Sequence, residues 1–264
     1  MITFFHQFAP QAVFFSFAWI KIYWYGLLVV MAIISAMAVS RYFWKKKISN
    51  SALFDDLSFW LIISGLFGAR IYEWFLNFNY YFSNPGELLK FWHGGLAIHG
   101  AIIGALIALI IFSKKHQIKA REIIAVVVPG LALGQAIGRW GNYFNQELFG
   151  LPTNSSWGIF ISPENRPLDY LQFSYFQPTF FYESFSCLIL FIILIISHYK
   201  KAKNLTIIAI YFIGYGLIRF FLEFIKIDAV PELFGFRWPQ IISLLFITGG
   251  GIMLYKSLNQ KSHD

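Results

Sequence analysis

Residues 122–150 read EIIAVVVPGLALGQAIGRWGNYFNQELFG, and the change of character inside this stretch decides how the chain is laid out. From 122 to 140 nearly every residue is apolar or small, a run of the length that crosses a bilayer as a helix. Arg139, Asn142, Asn145, Gln146 and Glu147 then arrive within nine positions. A polar cluster at the end of such a run has two readings. One is an interfacial helix end whose side chains cap loose backbone groups. The other is a functional site, because an arginine at bilayer depth is costly to hold.

Working outward, the whole chain has the composition of that first stretch. Of its 264 residues 58% are hydrophobic and only 13% charged, with a mean hydropathy of +0.59, whereas soluble domains are about 25% charged. The solvent implied is lipid. The formal charge of +8 does not mark a nucleic-acid surface, since the basic residues sit in short clusters between hydrophobic spans. No nucleic-acid partner is expected. The single cysteine, Cys187, lies in an apolar run and excludes an intramolecular disulfide. The N-terminus lacks a basic leader and a small-residue cleavage site, so the first span is expected to stay in the protein.

Seven windows are long and apolar enough to span a membrane: 22–43, 57–78, 95–113, 122–140, 179–199, 205–226 and 238–256. The fold class expected is therefore an all-α membrane protein of seven transmembrane helices, a single integral membrane domain over 1–264. Gly130, Gly134 and Gly138 repeat at four-residue spacing, as do Gly100 and Gly104, and such small faces let helices approach closely. The basic residues orient the bundle. Thirteen of them follow spans one, three, five and seven (Arg41, Lys45, Lys46, Lys47; Lys114, Lys115, Lys119, Arg121; Lys200, Lys201, Lys203; Lys256, Lys261), against five on the other side (Lys21, Lys90, Arg166, Lys226, Arg237). The positive-inside rule then places the N-terminus outside and the C-terminus in the cytoplasm. Residues 141–178, between spans four and five and rich in Asn, Pro and Ser, become a small periplasmic or extracellular part.

Three basic residues are left over: Arg70, Arg139 and Arg219, all within or at the end of a span, and none a lysine. Arginine stays protonated and offers a planar fork matched to phosphate and carboxylate oxygens. The set suits an anion. On span six Tyr211, Tyr215, Arg219 and Glu223 recur every four residues and share one helical face. An internal Arg219–Glu223 pair that only fixes packing is the competing reading, and Arg70 with Glu73 carries the same ambiguity. In the orientation deduced above, these arginines fall in the outer half of the membrane together with Tyr25, His99, Tyr182, Glu183 and Gln240. His99 lies in Trp92-His93-Gly94-Gly95-Leu96-Ala97-Ile98-His99-Gly100-Ala101, where small neighbours let a substrate near the ring. It reads either as a general base or as a packed, hydrogen-bonded histidine. No second His or Cys stands at metal-ligand spacing, so no zinc is expected, and no phosphate-binding glycine loop, serine-nucleophile elbow or haem pair occurs.

The run Gly138-Arg139-x-Gly-Asn142-Tyr-Phe-Asn145-x-Glu147-x-x-Gly150 resembles the signature of the bacterial prolipoprotein diacylglyceryl transferase family. Further matches follow in the same order: Trp24-Tyr25-Gly26, Gly-Ala-Arg70-Ile-Tyr72, Gly94-Gly95 to His99-Gly100, Pro178 to Tyr182-Glu183, Gly214-Tyr215-Gly216 to Arg219 and Glu223, and Gln240 to Ser243. Together they extend over about residues 20–255. The sequence departs from the pattern at Gln177, where His is expected, at Ala101, where Gly is common, and at Lys226, where an Arg often stands.

The resemblance implies a multi-pass protein of the bacterial cytoplasmic (inner) membrane. Its implied activity moves the diacylglyceryl group of phosphatidylglycerol to the lipobox cysteine in a prolipoprotein signal peptide, leaving a thioether and glycerol phosphate. The implied catalytic residues are His99, Arg139 and Arg219. The implied substrate-binding residues are Tyr25, Arg70, Asn142, Asn145, Glu147, Tyr215, Glu223 and Gln240. Membrane lipids are the only other partner expected, with no metal and no cofactor. The alternative from a different class, a lipid or anion transporter whose arginines line a path, would call for repeat symmetry, which the sequence lacks. A retinal protein is excluded by the absence of Lys between 238 and 255.

Overall fold

Apolar runs of this length satisfy their backbone groups internally and so become helices. In the computed structural model, which describes residues 6, 8–17, 20–90 and 94–259, they are α1 (Trp24–Lys47), α2 (Ser51–Leu76), α4 (Ile98–His116), α5 (Ala120–Asn145), α6 (Thr179–Tyr199), α7 (Asn204–Leu222) and α8 (Trp238–Asn259). All seven are long and apolar enough to cross a membrane, and the chain is a multi-pass membrane protein. A short α3 (Phe78–Ser83) follows α2. Trp92, His93 and Lys261, used in the sequence reading, lie outside the described residues.

Several helix ends differ from the hydropathy windows by three residues or more, and three of them have a clear local reason. Helix α2 begins at Ser51 rather than 57 because the Asn50 side chain caps it, accepting from the Ala52 and Leu53 N–H groups at 3.1 and 3.4 Å. Helix α5 runs five residues past 140, to Asn145. It stops where Gln146 and Leu148 take left-handed backbone, φ 52° and 54°. Helix α7 ends at Leu222, where the Phe224 and Ile225 N–H groups reach back three residues to Phe221 and Leu222. The chain turns there, four residues short of the expected end.

The chain divides into two compact units, residues 41–126 and residues 1–40 with 127–264. In the first, α2 and α4 pack through glycines. A Cβ built on Gly100 would stand 2.2 Å from the Gly68 carbonyl oxygen, and one on Gly104 would stand 2.1 Å from that of Ser64. Only hydrogen fits there.

In the second unit Gly130 of α5 meets the Ala36 carbonyl of α1 in the same way, at 2.4 Å from a built Cβ. Farther along α5, Gly141 lies under the Tyr25 ring, and Phe144 stacks on Trp24 with centroids 4.4 Å apart. Three antiparallel two-stranded sheets complete the unit: β1 (Val13–Phe17) with β2 (Ile20–Tyr23), β3 (Ile159–Phe160) with β4 (Tyr175–Phe176), and β5 (Glu232–Leu233) with β6 (Phe236–Arg237). Beyond the end of α5, the connection to α6 folds on a core of Tyr143, Phe149, Ile159, Ile161, Phe176 and Phe180. Gln146 ties it down, donating to the Pro10 carbonyl at 2.9 Å and accepting from the Ser162 N–H at 2.6 Å.

Adding a methyl at Gly100 pushes on backbone, which cannot rotate away. Gly100→Ala should therefore cost about 1–3 kcal/mol by overpacking, whereas Gly249→Ala, with nothing within 4 Å of its Cβ, should not destabilise. Thermal unfolding in detergent separates the two, and equal midpoints would contradict the close α2–α4 approach.

Candidate active site

Glu183 is the only acidic residue of α6, and its side chain is buried to 1% exposure. A carboxylate taken out of water must be paired, and here three cations share it. Arg139 Nη2 from α5 lies 2.8 Å from Oε1, while Arg219 Nη1 from α7 and Lys226 Nζ lie 3.2 and 3.6 Å from Oε2. Arg219 also reaches Glu223 Oε2 at 3.4 Å, one helical turn on, and Arg237 Nη1 faces Glu223 Oε1 at 3.4 Å. The result is a ladder of four cations on two buried carboxylates, with a surplus of two positive charges. Asp228 at 4.0 Å from Arg237, and exposed Glu147, stand on its rim.

Exposure sorts the cations. The side chains of Arg139, Arg219 and Arg237 are 22%, 19% and 16% exposed, against 3% for Lys226. The guanidinium forks therefore retain N–H directions open to a ligand, whereas the ammonium is enclosed. Burial pushes Lys226 down from the usual lysine range to about 8, opposed by the attraction of Glu183 and reinforced by Arg219 and Arg139.

The polar stretch after Arg139 continues the ladder. Arg139 Nη1 donates to Asn142 Oδ1 at 3.3 Å, Asn142 Nδ2 donates to Glu147 Oε1 at 2.7 Å, and Asn145 Nδ2 reaches the same oxygen at 3.5 Å. The Glu147 N–H closes the turn on the Asn142 carbonyl at 3.0 Å. Asn142 thus connects the arginine to the turn that ends α5. One turn earlier Trp140 donates to Ser184 Oγ at 3.1 Å, and Ser184 donates to the Ala136 carbonyl at 2.7 Å, which sets α5 and α6 in the register that brings Arg139 to Glu183. Tyr215 on α7 neighbours Arg139 and Glu183, and its ring stacks on Tyr211, which accepts from Gln135 at 2.9 Å.

Arg237 organises the turn after α7. It donates to the carbonyls of Glu223 at 2.9 Å, Lys226 at 2.6 Å and Asp228. Its own N–H is held by Gln240 Oε1 at 3.0 Å at the start of α8. The Leu151 N–H donates to the Ile225 carbonyl at 2.8 Å, and Gly150 bridges Lys226. Gln240 therefore acts on the ladder through Arg237.

Of the site residues expected from the sequence, Tyr25, Arg139, Asn142, Asn145, Glu147, Tyr215, Arg219, Glu223 and Gln240 lie in one unit. Arg70 and His99 belong to the other unit and are described separately. Arg70 donates to the carbonyls of Leu88, Glu87, Lys90, Gly94 and Gly95 and to the Tyr81 hydroxyl. The last two of those carbonyls belong to residues with left-handed backbone, Gly94 and Gly95 at φ of 82° and 69°, a conformation that favours glycine. Arg70 thus fixes the loop that leads into α4, and Glu73 accepts from Asn77 at 2.7 Å. His99, the second residue of α4, is exposed, with the Tyr72 ring 5.9 Å away.

The sequence reading left Glu183 without a partner and sorted Lys226 and Arg237 with the loop charges. All three belong to the ladder. The available signal was Glu183 itself, a lone carboxylate in an apolar span that requires cations from elsewhere in the chain.

Membrane-length helices carrying a net-positive ladder of cations on two buried carboxylates define an integral membrane protein with a charged site inside its fold. The chain belongs to the prolipoprotein diacylglyceryl transferase family, whose profile matches residues 12–256. It is 41% identical over 237 residues to a phosphatidylglycerol–prolipoprotein diacylglyceryl transferase of Synechococcus elongatus, covering 88% of this chain and 82% of that one. It is 38% identical over 262 residues to the enzyme of the same name from Synechocystis sp., covering 96% and 92%. The enzyme of that name from Trichormus variabilis is 40% identical over 237 residues, covering 88% and 84%.

Removing the shared carboxylate should expose the cost of the ladder. Glu183→Gln leaves three cations, Lys226 among them fully enclosed, facing a buried neutral amide and should lower stability by about 3–5 kcal/mol, whereas Asp55→Asn at the exposed Arg41–Asp55 pair (2.8 Å) should cost under about 1 kcal/mol. Melting in detergent is the measurement. Equal shifts for the two variants would contradict the central place given to Glu183.

Proposed function

We propose that the chain transfers the diacylglyceryl group of phosphatidylglycerol to the lipobox cysteine thiol of a prolipoprotein. The thiolate sulfur attacks the glyceryl carbon that bears the phosphate oxygen. A carbon–sulfur bond forms, and the carbon–oxygen bond breaks with its electron pair going to the phosphate. Glycerol phosphate leaves, and the thiol proton passes to a base. The phosphate passes from a monoanionic diester to a dianionic monoester, so negative charge grows in the transition state. The observation that carries this reading is the surplus of positive charge in the ladder, where Arg139, Arg219, Lys226 and Arg237 meet the two buried carboxylates Glu183 and Glu223. Fixed forks aimed at growing charge stabilise the transition state more than the ground state.

In this reading Arg139 and Arg219 clamp the phosphate, Asn142, Asn145 and Glu147 orient the headgroup, and Tyr25, packed on Gly141, positions lipid. Tyr215 and Glu223 hold the arginines in place, Gln240 acts through Arg237, and Arg70 shapes the loop before His99. His99 is assigned the thiol proton; packing against Tyr72 is its competing role. The protein lies in the bacterial cytoplasmic membrane with its N-terminus outside, its C-terminus inside and residues 141–178 on the outer face. Pairing of Lys226 and Arg237 with the ladder carboxylates supports that orientation. It removes them from the loop charges and leaves Lys21, Lys90 and Arg166 to oppose the thirteen on the cytoplasmic side.

Diacylglyceryl transfer to a lipobox peptide should fall by about 10²–10³-fold in Arg139→Ala and in Arg219→Ala, the scale of losing one preorganised donor to a developing oxyanion. Near-normal rates in folded protein would remove the clamp. For His99→Ala, the proton-acceptor role predicts a loss that shrinks as pH rises toward the thiol's own pKa of about 8.5. A pH-independent loss assigns the ring to packing instead.

A further inference from the structure

The ladder contains one cation that can lose its charge in the physiological range. Arg139, Arg219 and Arg237 stay protonated, whereas Lys226 is an amine enclosed at 3% exposure and 3.6 Å from Glu183 Oε2. The groups that face it within its unit are Glu183 from α6, Arg139 from α5, Arg219 from α7 and Asp228 from the following turn. Glu223 pairs with Arg219, and Arg237 holds the Lys226 carbonyl. Over the two buried carboxylates, Glu183 and Glu223, the four cations leave two positive charges with Lys226 charged and one without its proton; the part-exposed Asp228, 4.0 Å from Arg237, stands outside that count at the rim. The two states match the two ends of the proposed reaction. A surplus of one balances the monoanionic diester that binds, and a surplus of two balances the dianionic phosphate that leaves.

Resting on the proposed diacylglyceryl transfer, we propose that Lys226 is a positioning residue that acts through Glu183. Its ammonium occupies part of that carboxylate, keeps the Arg139 and Arg219 forks from being drawn fully onto Glu183, and supplies the second positive charge required as the carbon–oxygen bond breaks. When the proton is lost, Glu183 is shared by two arginines alone, and both hold it more tightly. The effect falls on turnover rather than on phosphatidylglycerol affinity, because the added charge is matched only as the leaving group develops. Lowering of the ammonium pKa by burial, to about 8, puts the change within reach of an ordinary pH series. An arginine at this position would hold its charge throughout that series.

The test compares kcat and KM for phosphatidylglycerol across pH 6.5–9.5 in the full-length wild-type protein, Lys226→Arg and Lys226→Met, with one lipobox peptide as acceptor. Thiol ionisation raises all three rates alike and cancels in their ratios. For a group titrating near 8, the ratio of Lys226→Arg to wild-type kcat, whatever its starting value, should rise roughly ten-fold between pH 7 and pH 9. The ratio of wild-type to Lys226→Met kcat should fall by the same factor, with KM ratios flat. Either variant suffices if the other fails to fold. Flat kcat ratios, or a pH effect confined to KM, would overturn the assignment of Lys226. Absence of any transfer by the wild-type protein would instead overturn the proposed reaction, so the two failures are distinct.

Discussion

Glu183 is a carboxylate buried to 1% exposure, and most of what is particular to this site depends on that constraint. A buried carboxylate is tolerated only when cations and hydrogen-bond donors meet it in good geometry. Here they come from α5, from α7 and from the turn beyond α7, so separate segments must converge on one point. A buried ion pair is a weak source of net stability, because desolvation offsets much of the attraction. Its value lies in geometry. The arginines are held by fixed partners on one side and keep exposure on the other, which is what a preorganised anion site requires.

The supporting contacts have a clear division of labour. Trp140, Ser184 and the Ala136 carbonyl set the register between α5 and α6, Asn142 connects Arg139 to the end of its helix, and Arg237 gathers the carbonyls of the 223–228 turn. The same device appears in the other unit, where Arg70 gathers the carbonyls of Glu87, Leu88, Lys90, Gly94 and Gly95. Both arginines act as fasteners for irregular backbone, whose carbonyls need donors wherever water is scarce.

Much of this was legible in the sequence. The seven spans follow from hydropathy, because long apolar runs have no other way to satisfy their backbone in lipid. Arg139 and Arg219 emerge by elimination, as charges that no loop accounts for. Lys226 and Arg237 could not be found that way. They sit beside span ends, where basic residues are ordinary interface charges; Lys226 is buried where Gly150 and Leu151 return to pair with it and with Ile225, and Arg237 is held by the carbonyls of the 223–228 turn. Arg70 was readable as unusual, but its partners are backbone carbonyls, which no residue letter announces. The extension of α5 to Asn145 was hidden for a related reason. Hydropathy drops at Asn142, yet Trp140, Tyr143 and Phe144 find a hydrophobic core to which the folded 146–178 connection contributes Phe149, Ile159, Ile161 and Phe176.

Taken together, the constraint at Glu183, the arginines it holds and the family to which the chain belongs converge on chemistry at a lipid phosphate. The most direct measurement is mass analysis of a lipobox peptide incubated with the purified protein and phosphatidylglycerol. The account predicts a diacylglyceryl group joined to the cysteine sulfur as a thioether, with glycerol phosphate released in equal amount. Recovery of unmodified peptide, with phosphatidylglycerol intact or moved across vesicle membranes without covalent change, would contradict it.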